Sequence, residues 1–313
     1  MTKILTVTFN PALDLATSAA RVAPNLKLRC APETAEAGGG GVNVARAITQ
    51  LGGSAQAWVA LGGPNGEALG ALLDGMGLDW VRIDAPGGTR HSFSVTDDAS
   101  GDQYRFVLTG PVWTEAQLNA VLERIATDTD DDSFIVFSGS MPPGSKPGFL
   151  PRAIDRLGAR RVVIDTSGPH LTHQAKGIAP APYILRMDSH EARDLSGLPL
   201  DTRLDSARFA EILRQRGAGS IVVIARGADG SVMAEPGGLW HVTAANEGVV
   251  SAIGAGDSFV GGMVMGLAGG QPPQEALRMG AAAASAAVLS EGTQLCLPQD
   301  YARLLPITAL TRL

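Results

Sequence analysis

The sequence predicts an α/β protein in which helices cover both faces of a mostly parallel central sheet, with a small β-sheet beside it. Short apolar segments alternate with segments of helical periodicity along most of the 313 residues, a pattern typical of parallel sheets. A hairpin pattern interrupts the alternation at 92–108. Glycine-bearing turns follow several predicted strands, and ligands of such sheets bind at the carboxyl ends of the strands.

The first third of the chain opens with a buried strand that the Asn10-Pro11 pair ends. Asp14 is predicted to lie in the loop after it. The run from Gly38 to Gly41 breaks the next strand, because glycine favours sharp turns. The predicted strands here are 4–8, 26–37, 56–61 and 80–83, and the predicted helices are 43–51 and 66–76.

The hairpin consists of predicted strands 92–96 and 103–108, which are joined by a polar turn. With the strand near 28–36 it forms a small sheet that stands off the main body. Because side chains alternate along a strand, its apolar face is predicted to carry Phe93, Val95, Tyr104 and Phe106.

After residue 111 the alternation resumes and continues to 289. We interpret the whole of 1–313 as one domain with the small sheet as an appendage. The predicted strands are 134–137, 161–164, 183–185 and 220–224, with a second hairpin at 231–234 and 239–242. The predicted helices are 114–125, 148–157, 190–195, 205–216, 257–268 and 273–289.

Composition excludes several classes of protein. The net charge of −6 argues against nucleic acid as the main partner. No apolar stretch is long enough for a membrane span, and the N-terminus lacks the pattern of a secretion signal. The two cysteines, Cys30 and Cys296, form no disulfide framework. We therefore expect a cytoplasmic protein that binds small molecules.

The stretch Ser251 to Phe259 places Gly254 and Gly256 directly before Asp257 and a Gly-studded apolar helix. Free backbone N–H groups at a helix start suit a phosphate oxygen. An aspartate among them can take a proton from a hydroxyl that attacks phosphorus. The alternative is an ordinary helix with an aspartate N-cap.

Two further features suit a phosphorylated sugar. The run from Gly38 to Gly41 lets backbone amides face a ligand, and Asn43 offers a donor and an acceptor to hydroxyl groups. Lys27 and Arg29, two residues apart on a predicted strand, and Arg90 at the head of the hairpin can together clamp one phosphate. The alternatives are a flexible loop and three separate surface charges.

Turns after other strands suit a nucleotide and a metal. Asp188 and Glu191, three residues apart, can share a metal-bound water, or they can begin a helix with acidic residues. The turn from Gly227 to Gly230 allows close approach of a nucleotide, although many such turns only close hairpins.

These stretches together resemble the ribokinase-like carbohydrate kinases, the phosphofructokinase B family, over nearly the whole chain. Residues 38–47 look like the first signature of the family, and 254–259 look like the second. Residues 10–14 and 138–144 resemble the branch that acts on sugar phosphates. Residues 27–30, 103–107 and 292–296 are most similar to the 6-phosphofructokinases of the family.

The resemblance implies ATP-dependent phosphorylation of a ketohexose monophosphate, with fructose 6-phosphate as the expected substrate and Mg²⁺ as cofactor. Fructose 1-phosphate and tagatose 6-phosphate kinases stay open as alternatives, as does a non-catalytic sugar-phosphate binding protein. The resemblance also implies that the small sheet, built from about 12–37 and 88–109, is a lid that pairs with a second copy in a homodimer.

The resemblance further assigns roles to single residues. Asp257 is the expected catalytic base, beside an anion hole made by Gly254, Ala255 and Gly256. The residues expected to bind the sugar are Asp14, Gly39, Gly40, Asn43 and Ser140, and those expected to bind its phosphate are Lys27, Arg29 and Arg90. The residues expected near the nucleotide are Arg186, Asp188, Ala225, Gly227, Gly230, Ser251, Ala281 and Ser285. Glu191 is expected to handle Mg²⁺, and K⁺ is expected beside the backbone of Ser251, Ile253, Ala287, Ser290 and Gly292.

The chain departs from the family at one place. Relatives usually have Lys-Pro-Asn where this chain has Arg186-Met187-Asp188. A carboxylate therefore stands where an amide is usual, and its charge bears on nucleotide and metal binding.

Overall fold

The computed structural model describes residues 2–245, 248–290 and 294–313. No helix in these ranges is long and apolar enough to cross a membrane. The strands are β1 Ile4–Thr8, β2 Ala12–Ala19, β3 Thr34–Gly38, β4 Gln56–Leu61, β5 Asp79–Asp84, β6 Arg90–Asp97, β7 Gln103–Val107, β8 Phe134–Ser138, β9 Arg161–Asp165, β10 Ile184–Asp188, β11 Ile221–Ala225, β12 Ser231–Glu235, β13 Gly238–Val242 and β14 Leu310–Arg312. The helices are α1 Gly40–Gln50, α2 Gly63–Gly75, α3 Glu115–Asp128, α4 Phe149–Leu157, α5 Gly168–Gln174, α6 Ser189–Ser196, α7 Arg203–Gln215, α8 Ala255–Ala268, α9 Pro273–Ala287 and α10 Pro298–Leu304.

The main sheet has ten strands in the order β14-β13-β12-β11-β10-β9-β8-β1-β4-β5. Neighbouring strands from β11 through to β5 are parallel, whereas β12, β13 and β14 pair antiparallel at one edge. The predicted α/β class is thus confirmed. Parallel strands bring their carboxyl ends to one edge of the sheet, where the turns that carry polar residues meet.

Side chains alternate along the central strands and so contribute to two hydrophobic cores, one on each face of the sheet. In β8, Ile135 and Phe137 pack with side chains of α3, α4 and α7, while Phe134 and Val136 pack with side chains of α1, α2, α8 and α9. A strand that is buried on both faces carries an almost continuous apolar sequence, as β8 does.

The small sheet has the strand order β3-β2-β6-β7. Its register puts Phe93 opposite Phe106 and Val95 opposite Tyr104, so the predicted apolar face is present. Residues on the other face alternate with these and include Asp14, opposite Ser92. The small sheet therefore has one polar and one apolar face.

Several predicted elements were wrong. Asp14 lies within β2 and not in a loop. A charged residue is tolerated in this strand because Asp14 is on the polar face of the small sheet, opposite Ser92. Residues 26–33 are not a strand, so Lys27 and Arg29 lie in an irregular, exposed segment between β2 and β3. Pro32 lacks the N–H that a strand ladder needs. Helices α5 and α10 and strand β14 were not predicted.

Candidate active site

Helix α8 begins inside the glycine-rich stretch, at the carboxyl-end edge of the main sheet. Gly254 is its N-cap in the left-handed conformation, with φ of 72°, which favours glycine. The first backbone bond of the helix runs from Ser258 N to Gly254 O at 2.8 Å. The N–H groups of Ala255, Gly256 and Asp257 precede it and so have no helical acceptor. These three N–H groups, called the cradle below, lie where the sequence predicts an anion hole, and that of Ala255 also donates to Ala252 O at 3.4 Å.

The carboxylate of Asp257 lies in the first turn of α8 and is mostly buried. Asn43 Nδ2, from α1, donates a 2.9 Å hydrogen bond to Asp257 Oδ2. Burial and the nearby Asp165 carboxylate raise the pKa of Asp257 to about 6, against the lowering effects of Asn43, Arg186 and Ser138. A carboxyl group with this pKa is ionised at neutral pH and can still accept a proton readily.

Asp165 and Ser138 were not among the predicted site residues, although the structure brings both to Asp257. Ser138 Oγ donates to Asp165 Oδ2 at 3.1 Å, and Arg186 Nη1 donates to Asp165 Oδ1 at 3.0 Å. The two residues end strands β8 and β9. The sequence could have indicated both residues, because each is a polar residue at the carboxyl end of a buried strand, where ligands of such sheets bind.

Arg186 joins this cluster to the start of α8. A Cβ on Gly256 would lie 3.0 Å from Arg186 Nη2, so the guanidinium packs closely against this glycine. The Arg186 side chain is about 15% exposed and its Nε has no hydrogen-bond partner among the described residues. Its positive charge therefore lies against the cradle, and Nε could still donate a hydrogen bond.

A cavity of about 400 Å³ opens beside the cradle. Its lining brings together seven of the eight residues predicted to lie near the nucleotide, and Ser251 is the exception. The lining also includes Phe259 and Val288, which were not among the residues predicted to lie near the nucleotide. The residues predicted there and found in the lining are Arg186, Asp188, Ala225, Gly227, Gly230, Ala281 and Ser285.

Asp188 and Glu191 form a capping box at the start of α6. Asp188 Oδ1 accepts from the backbone N–H groups of His190 and Glu191, at 2.8 and 2.9 Å, and Glu191 Oε2 accepts from Asp188 N at 2.9 Å. The helix-start alternative is therefore present. Burial raises the pKa of Glu191, and the charge of Asp188 adds to this effect. Asp188 Oδ2 and Glu191 Oε1 take no part in these three hydrogen bonds.

The small sheet carries Asp14 on β2 and Arg90 on β6. The Asp14 carboxylate occupies the space that a side chain at Gly38 would fill. Burial raises the pKa of Asp14, while the positive charges of Arg90 and Arg105 oppose this. Arg105 on β7 is a second cation that the sequence reasoning missed at this place.

Arg90 is held by backbone carbonyl groups. Its Nε and Nη2 donate to Asn10 O at 3.3 and 3.2 Å, and its Nη1 donates to Leu108 O at 3.4 Å. Asn10 Nδ2 in turn donates to Ser140 Oγ at 3.1 Å. Asn10 thus links two of the residues that the sequence predicted to bind the substrate.

The remaining predicted sugar residues divide into two groups. Gly39 is the N-cap of α1, with φ of 141°, and a Cβ on Gly40 would collide with Ser138 and Gly139. Both glycines therefore lie at the same edge as Asp257. Lys27 and Arg29 are exposed and make no hydrogen bond or ion pair within the described part of the chain.

The predicted K⁺ residues lie where the loop before α8 meets the end of α9. Ser251 N donates to Val288 O at 3.2 Å, and Ser251 Oγ accepts from Ile253 N at 3.2 Å. Ala287 ends α9, and Ser290 Oγ donates to Leu295 O at 2.9 Å. Gly292, also predicted there, lies outside the described residues.

Comparison with known proteins agrees with this geometry. Residues 8–300 match the model of the pfkB family carbohydrate kinases. The ATP-dependent 6-phosphofructokinase isozyme 2 of Mycobacterium tuberculosis is 35% identical over 309 residues, covering 98% of this chain and 90% of that protein. The 1-phosphofructokinase of Bacillus subtilis is 27% identical over 313 residues, covering 99% of this chain and 100% of that protein.

Solved structures give the same answer. Phosphofructokinase-2 from Escherichia coli in complex with potassium superposes with a TM-score of 0.91 at 34% identity, covering 98% of this chain and 99% of that chain. The match includes the main sheet and the small sheet together, since almost the whole length is covered. The chain therefore belongs to the pfkB family of carbohydrate kinases.

Proposed function

We propose that this protein transfers the γ-phosphoryl group of ATP to the free primary hydroxyl of fructose 6-phosphate, which gives fructose 1,6-bisphosphate. The observation that carries the proposal is the position of Asp257. Its carboxylate accepts a hydrogen bond from Asn43 on α1, shortly after Gly38, which packs against Asp14, and Asp257 directly follows Gly256, which lines a cavity of about 400 Å³.

Asp257 acts as the base that orients the attacking hydroxyl and accepts its proton during in-line transfer. The N–H groups of Ala255, Gly256 and Asp257 stabilise negative charge on the transferred group. Arg186, packed against Gly256, adds a positive charge at the same place. These groups are fixed by the fold before substrate binds, so little reorganisation is needed during the reaction.

The nucleotide occupies the 400 Å³ cavity, with its phosphates toward Arg186 and Gly256 and its base toward the apolar end. The lining includes small residues, among them Ala281 and Ala284 on α9 and Gly227 and Gly230 in the turn after β11. Small side chains leave room for a flat base, and Ser285 is placed in the same wall.

The sugar phosphate lies against the small sheet. Asp14 and Asn43 accept and donate hydrogen bonds to its hydroxyl groups, and Gly39 and Gly40 allow close approach. Arg90 binds the existing phosphate, since its guanidinium offers a fork of donors. Lys27 and Arg29 complete this clamp only if their exposed segment folds toward a sugar site, in this copy or in a second one.

Mg²⁺ fits the donors present at the nucleotide side. No group of three or more metal-ligating side chains occurs among the described residues, which suits an ion held mainly by nucleotide phosphates and one or two carboxylates. Glu191 and Asp188 are the carboxylates offered there, and the ion would neutralise charge on the phosphates. K⁺ needs oxygen ligands, and the loop with Ser251, Ile253, Ala287 and Ser290 supplies backbone carbonyl and hydroxyl oxygens for it.

We further propose that two copies pair through the apolar face of the small sheet, which then acts as a lid over the sugar. Tyr104 is 40% exposed and Phe106 is 55% exposed in the single chain. Contact with water makes an exposed apolar face of this kind unfavourable, so a covering partner is expected. The occupant that matches its shape and chemistry is the same face of a second copy.

A coupled assay tests the substrate. We expect ATP turnover with fructose 6-phosphate to exceed turnover with fructose 1-phosphate and tagatose 6-phosphate when each is tested at several concentrations. Faster turnover of fructose 1-phosphate would favour the activity of the Bacillus subtilis relative. No turnover with any of the three, together with measurable sugar-phosphate binding, would favour a non-catalytic binding protein.

A further inference from the structure

Arg46 lies one helical turn after Asn43 on α1, and the two side chains meet. Arg46 Nη1 is 3.5 Å from Asn43 Oδ1. The Nδ2 atom of the same Asn43 amide donates a hydrogen bond to Asp257 Oδ2 at 2.9 Å. Arg46 itself is half-buried and does not contact Asp257 in the hydrogen bonds described. The three residues thus form a short relay that ends at the expected catalytic base.

The chemistry of the two neighbours fixes which way the Asn43 amide points. A guanidinium only donates hydrogen bonds and an ionised carboxylate only accepts them. The amide satisfies both when Oδ1 faces Arg46 and Nδ2 faces Asp257. The opposite orientation would set Oδ1 against the carboxylate and the NH₂ group against the cation, which is unfavourable at both ends. Asn43 is 8% exposed, so water cannot easily replace either neighbour.

Arg46 is also tied to the small sheet. Burial lowers the pKa of Arg46, and the negative charge of Glu36 on β3 opposes this. Glu36 pairs across the strands with Asp14, the expected sugar ligand. The guanidinium therefore stands between a strand of the sugar site and the amide that contacts the base.

We propose that Arg46 is a positioning residue for phosphoryl transfer, which holds the Asn43 amide so that its NH₂ group faces Asp257. The inference rests on the proposed role of Asp257 as the base. Arg46 acts through Asn43, so its loss weakens the support of Asp257 without removing any group that touches the substrates.

The sign of the effect follows from the hydrogen bond. Donation from Asn43 favours the ionised form of Asp257, so a disordered amide lets the pKa of Asp257 rise. The other charged groups near Asp257 are Asp165 on β9 and Arg186 on β10, and Glu36 on β3 faces Arg46. None of these three is altered by the substitutions that follow.

The test is a set of pH–rate profiles for Arg46→Met, Arg46→Lys, Asn43→Ala and the double variant Arg46→Met/Asn43→Ala. We expect the acid limb of kcat to move up by about half a pH unit or more in Arg46→Met, because loss of a hydrogen bond to the charged form raises a pKa. Arg46→Lys should restore most of the shift, since an ammonium group also donates to Oδ1. Thr49→Met, on the exposed side of α1, is the control for a new methionine in this helix.

The double variant separates a relay from two independent effects. Residues that act as a unit are not additive, so the double variant should show no larger shift than Asn43→Ala alone. Full additivity of the two shifts would overturn the inference. An Arg46→Met variant with an unchanged acid limb and a raised KM for the sugar phosphate would also overturn it, because Arg46 would then bind substrate directly.

Failure of the proposed function is distinguishable from failure of this inference. The wild-type protein is first assayed with the three hexose phosphates, and the profiles are recorded with whichever one is turned over. If Asp257→Asn keeps the wild-type rate, Asp257 is not the base, and positioning of Asn43 by Arg46 cannot then affect catalysis through it. If Asp257→Asn is inactive and Arg46→Met keeps the wild-type profile, only the relay fails.

Discussion

Asp165 and Asp257 lie close enough for the charge of one carboxylate to raise the pKa of the other. The first is paired with Arg186 at 3.0 Å, while the second accepts from Asn43 at 2.9 Å. Asp165 therefore has a guanidinium as its partner, whereas Asp257 accepts from a neutral amide. Burial and the charge of Asp165 raise the pKa of Asp257 to about 6, which suits a residue that accepts a proton near neutral pH.

The pH dependence of the rate should report this arrangement. Asp257 must be ionised to accept a proton and has a pKa of about 6, so kcat should rise with pH through a midpoint near that value and level off above it. A profile recorded from pH 5 to 8 with saturating substrates checks this. A rate that is flat down to pH 5 would show that no group with this pKa limits the reaction.

Replacing the base should separate activity from stability. Asp257→Asn should lower kcat by about two to four orders of magnitude, the usual contribution of a positioned base. The same variant should be more stable to unfolding at pH 7 by up to about 3 kcal/mol, because the native protein no longer holds an ionised carboxylate whose pKa is raised.

The pH course of that stability difference has a definite sign. The folded pKa is raised from 3.8 to about 6, so the cost of the wild-type carboxylate builds up between these values and is constant above them. Urea unfolding of both proteins should give equal free energies near pH 3.5 and the full difference at pH 7. A variant less stable than the wild type at pH 7 would contradict the raised pKa.

Arg90→Ala should raise the KM for the sugar phosphate far more than the KM for ATP. A charged hydrogen bond to phosphate contributes roughly 1.5–3 kcal/mol, or about a tenfold to hundredfold change in KM. Arg152→Ala, a change at an exposed arginine on α4, is the matched control. Equal effects of Arg90→Ala on both substrates would remove Arg90 from the phosphate clamp.

Asp188→Asn keeps the cap of α6, since asparagine caps about as well as aspartate, but it removes a negative charge from the wall of the nucleotide cavity. We expect the concentration of free Mg²⁺ at half-maximal rate to fall while the KM of the sugar stays the same. Asp188→Ala is the control for the cap and should cost about 1 kcal/mol of stability. If the Mg²⁺ titrations of wild type and Asp188→Asn superimpose, Asp188 only caps α6 and its charge has no effect on Mg²⁺ dependence.

The wild-type protein should be a dimer at micromolar concentration in light scattering. Phe106→Glu places a charge on the apolar face of the small sheet and should give a monomer. Leu198→Glu alters an exposed leucine on another surface, which is 60% exposed, and should leave the dimer intact. A wild-type monomer would refute pairing through this face, and a dimeric Phe106→Glu would move the interface elsewhere.

The parallel sheet was predictable because buried strands such as β8 carry continuous apolar runs between helical segments. The start of α8 was predictable because Gly254 and Gly256 leave few alternatives to a sharp turn. Asp165 and Arg105 were missed because their importance comes from neighbours far away in sequence. The segment with Lys27 and Arg29 was misjudged, since loose alternation does not outweigh Pro32.

The relay between α1 and α8 also bears on incomplete chains. The bond from Asn43 to Asp257 joins positions 214 residues apart. A nascent or truncated chain that stops before α8 can carry the glycines and the aspartate proposed to bind the sugar, yet it lacks Asp257, the proposed base. With Asp257 as the proposed base, consumption of ATP would therefore begin only once α8, in the last fifth of the protein, has been made and packed against α1.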